Sequence, residues 1–150
     1  MDGQQSDPKS ARTLALAVEL RVIFGKISRR LREQAHPGDF TSAQKSVLLR
    51  LERDGPATVT TLARAESVRP QSLGATVAAL QSAGLVAGTH DPADGRQTIL
   101  SLTDTCREMI RTSRAAKEDW LFRMIQTKLT SGEQEELSAA VELLKRLFDA

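Results

Sequence analysis

The sequence predicts a mainly α-helical α+β fold with one short β-hairpin. Of its 150 residues, 40% are hydrophobic but only 3% are aromatic, and none is Tyr. Leu, Val, Ile and Ala must therefore build the core, as they do where helices pack on helices, whereas strands favour aromatic residues. Apolar residues also recur at spacings of three and four over most of the chain. Strand-like patterns occur only at residues 85–90 and 98–102, around an Asp94-Gly95 turn signal.

Composition limits the classes of function. The 21 Lys and Arg against 19 Asp and Glu give a net charge of +2, which by itself argues weakly for a polyanionic partner. The one cysteine, Cys106, cannot form an internal disulfide, and no Cys and His cluster has zinc-site spacing. No stretch approaches the ~18 apolar residues of a membrane span. We therefore expect a cytoplasmic protein that uses no metal or cofactor.

The N-terminal part is predicted to be a flexible arm followed by a long helix. Residues 1–10 are polar and contain Gly and Pro, as is typical of a loose arm. From Arg12 to about Gln34 an apolar stripe marks one side of a helix. The opposite face is basic, and a solvated face is favoured over a phosphate-binding one. The stripe consists of Ala17, Leu20, Phe24, Ile27 and Leu31, and the basic face of Arg21, Lys26, Arg29, Arg30 and Arg32.

A helix-turn-helix is predicted in the middle of the chain. Thr41 and Gln44 form a capping-box pattern that starts a second helix, and Thr58 can cap a short third one. Pro70 suits the first position of a fourth helix, which Leu73, Val77 and Leu80 are predicted to anchor in the core and which Gly84 ends. Two helices joined by so short a turn form the unit whose second helix can enter a major groove ~12 Å wide.

A wing and two more helices complete the predicted architecture. The hairpin that carries Arg96 at its tip follows the fourth helix, and Thr103 can then cap a long fifth helix. Thr130 and Glu133 form a second capping box that opens a sixth. The prediction is one domain over residues 11–150. Its winged helix-turn-helix lobe spans 41–102, and residues 11–36 and 103–150 form helices that pair two copies, because alone they would expose apolar stripes.

The order of helices and the string GLVAGTHDPADGRQTILSLTDT resemble the MarR family, the multiple-antibiotic-resistance regulators, over almost the whole chain after residue 10. The wing carries the most specific match, with Asp94 before Arg96 at the tip and then Leu102-Thr103. The resemblance implies that Arg96 enters the minor groove and that Asp94 orients it. It also implies that the fourth helix reads the major groove through the DNA-binding candidates Arg69, Pro70, Gln71, Ser72, Gly74 and Ala75.

The chain departs from the family pattern at three positions. Members often have a hydroxyl residue where Gly74 stands and an arginine where Ala75 stands, so a phosphate or guanine contact made by those side chains is expected to be missing. Gln71 suits an adenine edge, Ala75 a thymine methyl, and Arg69 a phosphate or guanine. The small residues equally suit helix packing. Cys106 replaces a glycine near the start of the fifth helix, where a small buried residue is favoured over a redox sensor.

The expected function is a homodimeric regulator, most often a repressor, that binds double-stranded DNA at a pseudo-palindromic operator. A small aromatic or anionic effector is expected to release it, at a site the sequence does not reveal. Trp120 and Phe24 are candidates for that site, although a core position is favoured for both. The alternative is a protein-interaction module that docks through the uncharged fourth helix. An enzyme is not expected, because no nucleophile-elbow or phosphate-loop motif is present.

Overall fold

The computed structural model describes residues 7–35 and 40–149. Over these residues the chain forms six helices and three short strands. In chain order they are α1 (Pro8–Gln34), α2 (Ser42–Asp54), β1 (Ala57–Thr58), α3 (Val59–Glu66), α4 (Pro70–Ser82), β2 (Val86–His90), β3 (Thr98–Leu102), α5 (Asp104–Lys128) and α6 (Ser131–Phe148). The mainly helical fold with one hairpin is thus confirmed.

The chain divides into two compact units. The core unit is Pro37–Arg114, and the flanking-helix unit joins Met1–His36 to Ala115–Ala150. The division falls inside α5, twelve residues beyond the end of the expected 41–102 lobe. Along the chain, α5 therefore begins in the core unit and ends in the flanking-helix unit.

Every buried apolar residue of the described chain lies in the core unit. Helix α4 packs against α2, α3 and β2, and β3 packs against α2 and α3. The predicted inward residues of α4 are buried, which confirms the period of the fourth helix. The buried set is Val47, Leu48, Leu51, Leu62, Ala63, Leu73, Val77, Leu80, Leu85, Val86, Leu100, Leu102 and Cys106.

A three-stranded antiparallel sheet closes this core. The strand order is β1-β3-β2, and the hairpin register pairs Val86 with Leu102 and Gly88 with Leu100. The strand β1 was not predicted from the sequence, because two residues are too few to show a period. It exists through its pairing with β3, where Ala57 faces Leu100. The sheet therefore anchors the base of the hairpin to the helices.

The predicted helix starts at threonine are confirmed. Thr41 and Thr130 both form full capping boxes, and the Thr58 hydroxyl accepts a hydrogen bond from the amide of Thr61 at 3.1 Å. The Thr103 hydroxyl accepts one from the amide of Cys106 at 3.1 Å and donates to the carbonyl oxygen of Gly84 at 2.7 Å. Thr103 therefore starts α5 and also ties that start to the end of α4.

The predicted flexible arm is wrong at its C-terminal end. Helix α1 begins at Pro8, so residues 8–10 are helical, and residues 1–6 lie outside the described residues. The Asp7 side chain caps this start by accepting a hydrogen bond from the Lys9 amide at 3.3 Å. Proline at the first helical position loses no hydrogen bond there. The Pro8 that suggested a loose arm in fact starts the helix.

The flanking-helix unit exposes most of its apolar side chains in the single chain. Neither α1 nor α6 has a buried residue. Leu14 remains 67% exposed, and Phe148 remains 70% exposed even though its ring meets that of Phe24 edge to face, with 6.4 Å between centroids. Arg30 lies over the ring of Trp120 at 5.8 Å. In the part of the chain that the structure describes, no helix has both the length and the apolar character that crossing a membrane requires.

Candidate nucleic-acid interface

The start of α4 presents free backbone amides. Pro70 occupies the first helical position, and no side chain caps the helix in the described structure. The first helical bond runs from the Leu73 amide to the Arg69 carbonyl at 3.1 Å, so the amides of Gln71 and Ser72 have no partner within the helix. Because no acidic residue lies in this first turn, the positive end of the helix dipole is uncompensated. Such a helix start suits an anionic group.

The turn before α4 fixes the direction in which this helix leaves α3. Ser67 adopts a left-handed conformation with φ 54° and ψ 41°, and the Val68 amide donates to the Ala63 carbonyl at 3.0 Å. Arg69 follows in an extended conformation. Nothing in the sequence indicated that Ser67 is left-handed, because glycine usually takes that conformation.

The outer face of α4 is small and uncharged. Gln71, Ser72 and Ala75 are exposed, whereas Gly74 is half-buried on the flank. A Cβ added at Gly74 would meet no atom within 4 Å, so close packing within the chain does not require a glycine there. From Pro70 to Gly88 the chain carries no charged residue. This face therefore offers an amide, a hydroxyl and a methyl group.

The hairpin tip displays Arg96 on a closed turn. The loop is closed by the Asp91 amide, which donates to the Gln97 carbonyl at 2.9 Å, and by the Gln97 amide, which donates to the Asp94 carbonyl at 3.0 Å. The Asp94 carboxylate accepts from the backbone amide of Arg96 at 3.1 Å. Among the salt bridges of the described residues none includes Arg96, which is exposed. The Asp94 carboxylate thus binds the backbone of the turn and not the guanidinium of Arg96, which stays free.

Gly88 brings the hairpin and α4 close together. A Cβ at this position would lie 2.6 Å from Cγ2 of Thr98 and 3.3 Å from Nε2 of Gln81, the α4 residue nearest to it. Only a residue without a side chain fits such a contact without displacement. All eight predicted DNA-binding residues lie in the core unit, six at the start of α4 and two on the adjoining hairpin. Sequence reasoning did not single out Gly88.

Metal-ligating side chains and the cysteine form no second site among the residues that the structure describes. Among the described residues no three His, Cys, Asp or Glu side chains come together to hold a metal ion. Cys106 is fully buried, and burial raises the pKa of its thiol above the ordinary value. The small buried residue that the sequence favoured here is confirmed. A protonated, enclosed thiol is a poor nucleophile.

The geometry of the core unit and the order of the elements define a class of protein. A helix-turn-helix built by α3 and α4 is followed directly by an antiparallel hairpin, and long helices flank both. An uncapped helix start and a free cation at the hairpin tip are the groups that this arrangement turns outward. The helix-turn-helix, the hairpin and these outward groups together define a winged helix-turn-helix protein.

Comparisons with known proteins identify the family. The model of the MarR family matches residues 39–97. An HTH-type transcriptional regulator of Mycobacterium bovis is 33% identical over 144 residues, which cover 96% of each chain. The HTH-type transcriptional repressor MdtR of Bacillus subtilis is 32% identical over 89 residues, 59% of this chain and 57% of the repressor. A crystal structure of a Pseudomonas aeruginosa protein described as a transcriptional regulator is 34% identical, with a TM-score of 0.79 over 93% of this chain and 97% of that one. The chain belongs to the MarR family of transcriptional regulators.

Proposed function

We propose that the protein is a homodimeric, ligand-responsive repressor that binds a pseudo-palindromic DNA operator in the cytoplasm. The observation that carries this proposal is the combination, within the core unit, of a free helix start at α4 and an unpaired arginine at the tip of the adjoining hairpin. A helix start without a cap or an acidic residue attracts phosphate, and an exposed guanidinium suits the negative minor groove.

Base reading is assigned to the outer face of α4. Gln71 can pair its amide with the N6 and N7 edge of adenine, and the Ala75 methyl can contact a thymine methyl. No arginine or lysine on α4 is available for the bidentate guanine contact. Arg69 and Ser72 at the helix start are assigned to phosphate, and Pro70 shapes the approach. Gly74 leaves space beside the groove, because nothing in the chain occupies it.

The homodimer is supported by the apolar side chains of the flanking-helix unit. Leu14, Val22, Leu143 and Leu147 are each more than half exposed in the single chain. Soluble monomers rarely expose large apolar patches to water, and a second copy would cover these side chains. A two-fold pair presents two α4 helices, which fit half-sites about one DNA turn, ~34 Å, apart.

Repression and release are supported more indirectly. The similarity to MdtR, which is named a repressor, favours repression over activation. Release requires that a small aromatic or anionic effector bind the DNA-free conformation more tightly, and a tenfold change in operator affinity corresponds to ~1.4 kcal/mol of coupling. Trp120 and Phe24 stay candidates for contacts with such a molecule.

Selection of duplexes from a random-sequence pool, followed by a salt titration, tests DNA binding. We expect an enriched sequence whose affinity falls steeply with salt, because each neutralised phosphate contributes about −0.9 to the slope of log K against log salt. The second candidate, a protein-docking module, is favoured by the net charge of only +2 and the uncharged α4 face. It predicts no enriched duplex and no saturable binding.

A further inference from the structure

One carboxylate holds the turn that leads into α4. Glu66 is the last residue of α3, and its two oxygens accept hydrogen bonds from two α2 side chains. The Ser46 hydroxyl donates to Oε2 at 2.7 Å, and Arg50 Nε donates to Oε1 at 2.7 Å. With the Glu66 side chain 17% exposed and that of Arg50 27% exposed, this is the most enclosed salt bridge among the described residues. Charge-assisted bonds in such a setting are stronger than neutral ones.

No other side chain in this segment could do the same work. From residue 64 to residue 70, Glu66 is the one position of the described chain that is not exposed. The apolar anchors lie on either side, at Ala63 within α3 and at Leu73 within α4. Between them the backbone turns through the left-handed Ser67. The position of this turn on α2 therefore depends on the carboxylate of Glu66.

The location of this contact links it to the DNA-binding groups. Glu66 precedes Arg69 by three residues, and Arg69 stands directly before the helix whose free amides belong to Gln71 and Ser72. A shift at Glu66 would move the whole start of α4, while Leu73, Val77 and Leu80 would still hold the rest of that helix in the core. Displacements of about 1 Å are enough to weaken contacts that depend on geometry.

We propose that Glu66 is a positioning residue for DNA binding, which fixes the start of α4 on α2 through Ser46 and Arg50 without touching DNA itself. This inference rests on the proposed function. The proposal gives Arg50 two roles. It holds Glu66 in place, and its charge neutralises a carboxylate that would otherwise lie near the DNA phosphates. The sequence did not single out any of these three residues, since Glu66 is twenty residues from Ser46 and sixteen from Arg50 and the three belong to no motif.

The test compares Glu66→Gln with Asp54→Asn on the duplex selected from the random pool. Both variants remove one negative charge that faces Arg50, since Asp54 Oδ2 lies 3.8 Å from Arg50 NH1. They differ in position, because Asp54 is remote in sequence from the turn that leads into α4. We expect Glu66→Gln to weaken binding about tenfold, within the range usual for coupled sites, and Asp54→Asn to leave affinity unchanged. Ser46→Ala, which keeps every charge, is expected to weaken binding by a smaller factor.

A purely structural role predicts a different pattern. The loss of one hydrogen-bonded pair would leave nearly all molecules folded, so the Kd of the folded protein would not change. The charge-swapped double variant Arg50→Glu with Glu66→Arg restores the pair and is expected to recover at least part of the affinity. Equal binding by wild type, Glu66→Gln and Ser46→Ala would overturn the inference alone. Failure of the wild type to bind any duplex would overturn the proposed function and the inference together.

Discussion

Replacement of Arg96 by alanine should remove a DNA contact and leave the protein otherwise intact. The guanidinium is exposed and takes part in none of the salt bridges of the described residues. The turn itself depends on the backbone amide of Arg96, which donates to Asp94 Oδ1 and which alanine retains. We therefore expect the free energy of unfolding to change by no more than ~0.5 kcal/mol, as at other open surface positions.

The loss of affinity follows from the number of wings in the complex. A hydrogen bond to a charged group contributes ~1.5–3 kcal/mol net, and a dimer would lose two such contacts. The exposure of Arg96 places its contribution at the low end, which gives ~3 kcal/mol for the pair. Since ~1.4 kcal/mol is tenfold in an equilibrium constant, operator affinity should fall about 100-fold. The salt slope should become shallower by roughly 2, about one for each cation lost.

Fluorescence anisotropy with the selected duplex, repeated at several salt concentrations, measures both quantities. Arg111→Ala is the matched control, because it removes an exposed arginine of the same unit whose charge is already paired with Glu108. It should leave affinity and slope unchanged. If Arg96→Ala binds as tightly as wild type with the same slope, the assignment of the hairpin as a DNA-contacting wing is wrong.

Three further predictions concern stability and reactivity. Gly74→Ala should raise the free energy of unfolding in urea by ~0.5–1 kcal/mol, because alanine favours a helix and its Cβ meets open space; destabilisation would show that the space is not open. Hydrogen bonds from Arg50 and, to a smaller extent, from Ser46 lower the pKa of Glu66 below its ordinary 4.5. The Glu66 carboxylate therefore stabilises the folded state above pH 4.5, and this stabilisation is lost as the pH falls through the pKa of the folded state. The difference in urea midpoint between wild type and Glu66→Gln should therefore narrow from pH 7 to pH 3, and a constant difference would contradict the assignment. Cys106 should resist a thiol reagent until urea unfolds the chain, and rapid reaction of the native protein would refute its burial.

The sequence predicted the parts of the fold that local chemistry decides. Capping boxes at Thr41 and Thr130 start helices because side chain and amide lie three residues apart in the same segment. Gly84 ends α4 because its φ of 75° suits a residue without a side chain. The spacing of Leu73, Val77 and Leu80 predicted which side of α4 is buried, because the helical period is also a local property of the chain.

What the sequence could not predict depends on contacts between distant segments. The strand β1 exists only by pairing with β3, some forty residues later. The bonds of Glu66 to Ser46 and Arg50 span twenty and sixteen residues. Asp94 was expected to orient Arg96, and in the structure its carboxylate binds the backbone amide of Arg96. The residue types alone do not tell whether the carboxylate binds that amide or the guanidinium. The start of α1 was misplaced because Pro8 is compatible with both a loose arm and a first helical turn.

The most direct test of the account is to determine the sequence and the stoichiometry of the selected DNA complex together. Sequencing of the enriched pool should yield an inverted repeat whose half-site centres lie about 10 base pairs apart. Sedimentation equilibrium on that duplex should then give a mass of two chains per DNA molecule. A single unrepeated half-site occupied by one chain would contradict the account, because the flanking helices would then have no partner and α4 would act alone.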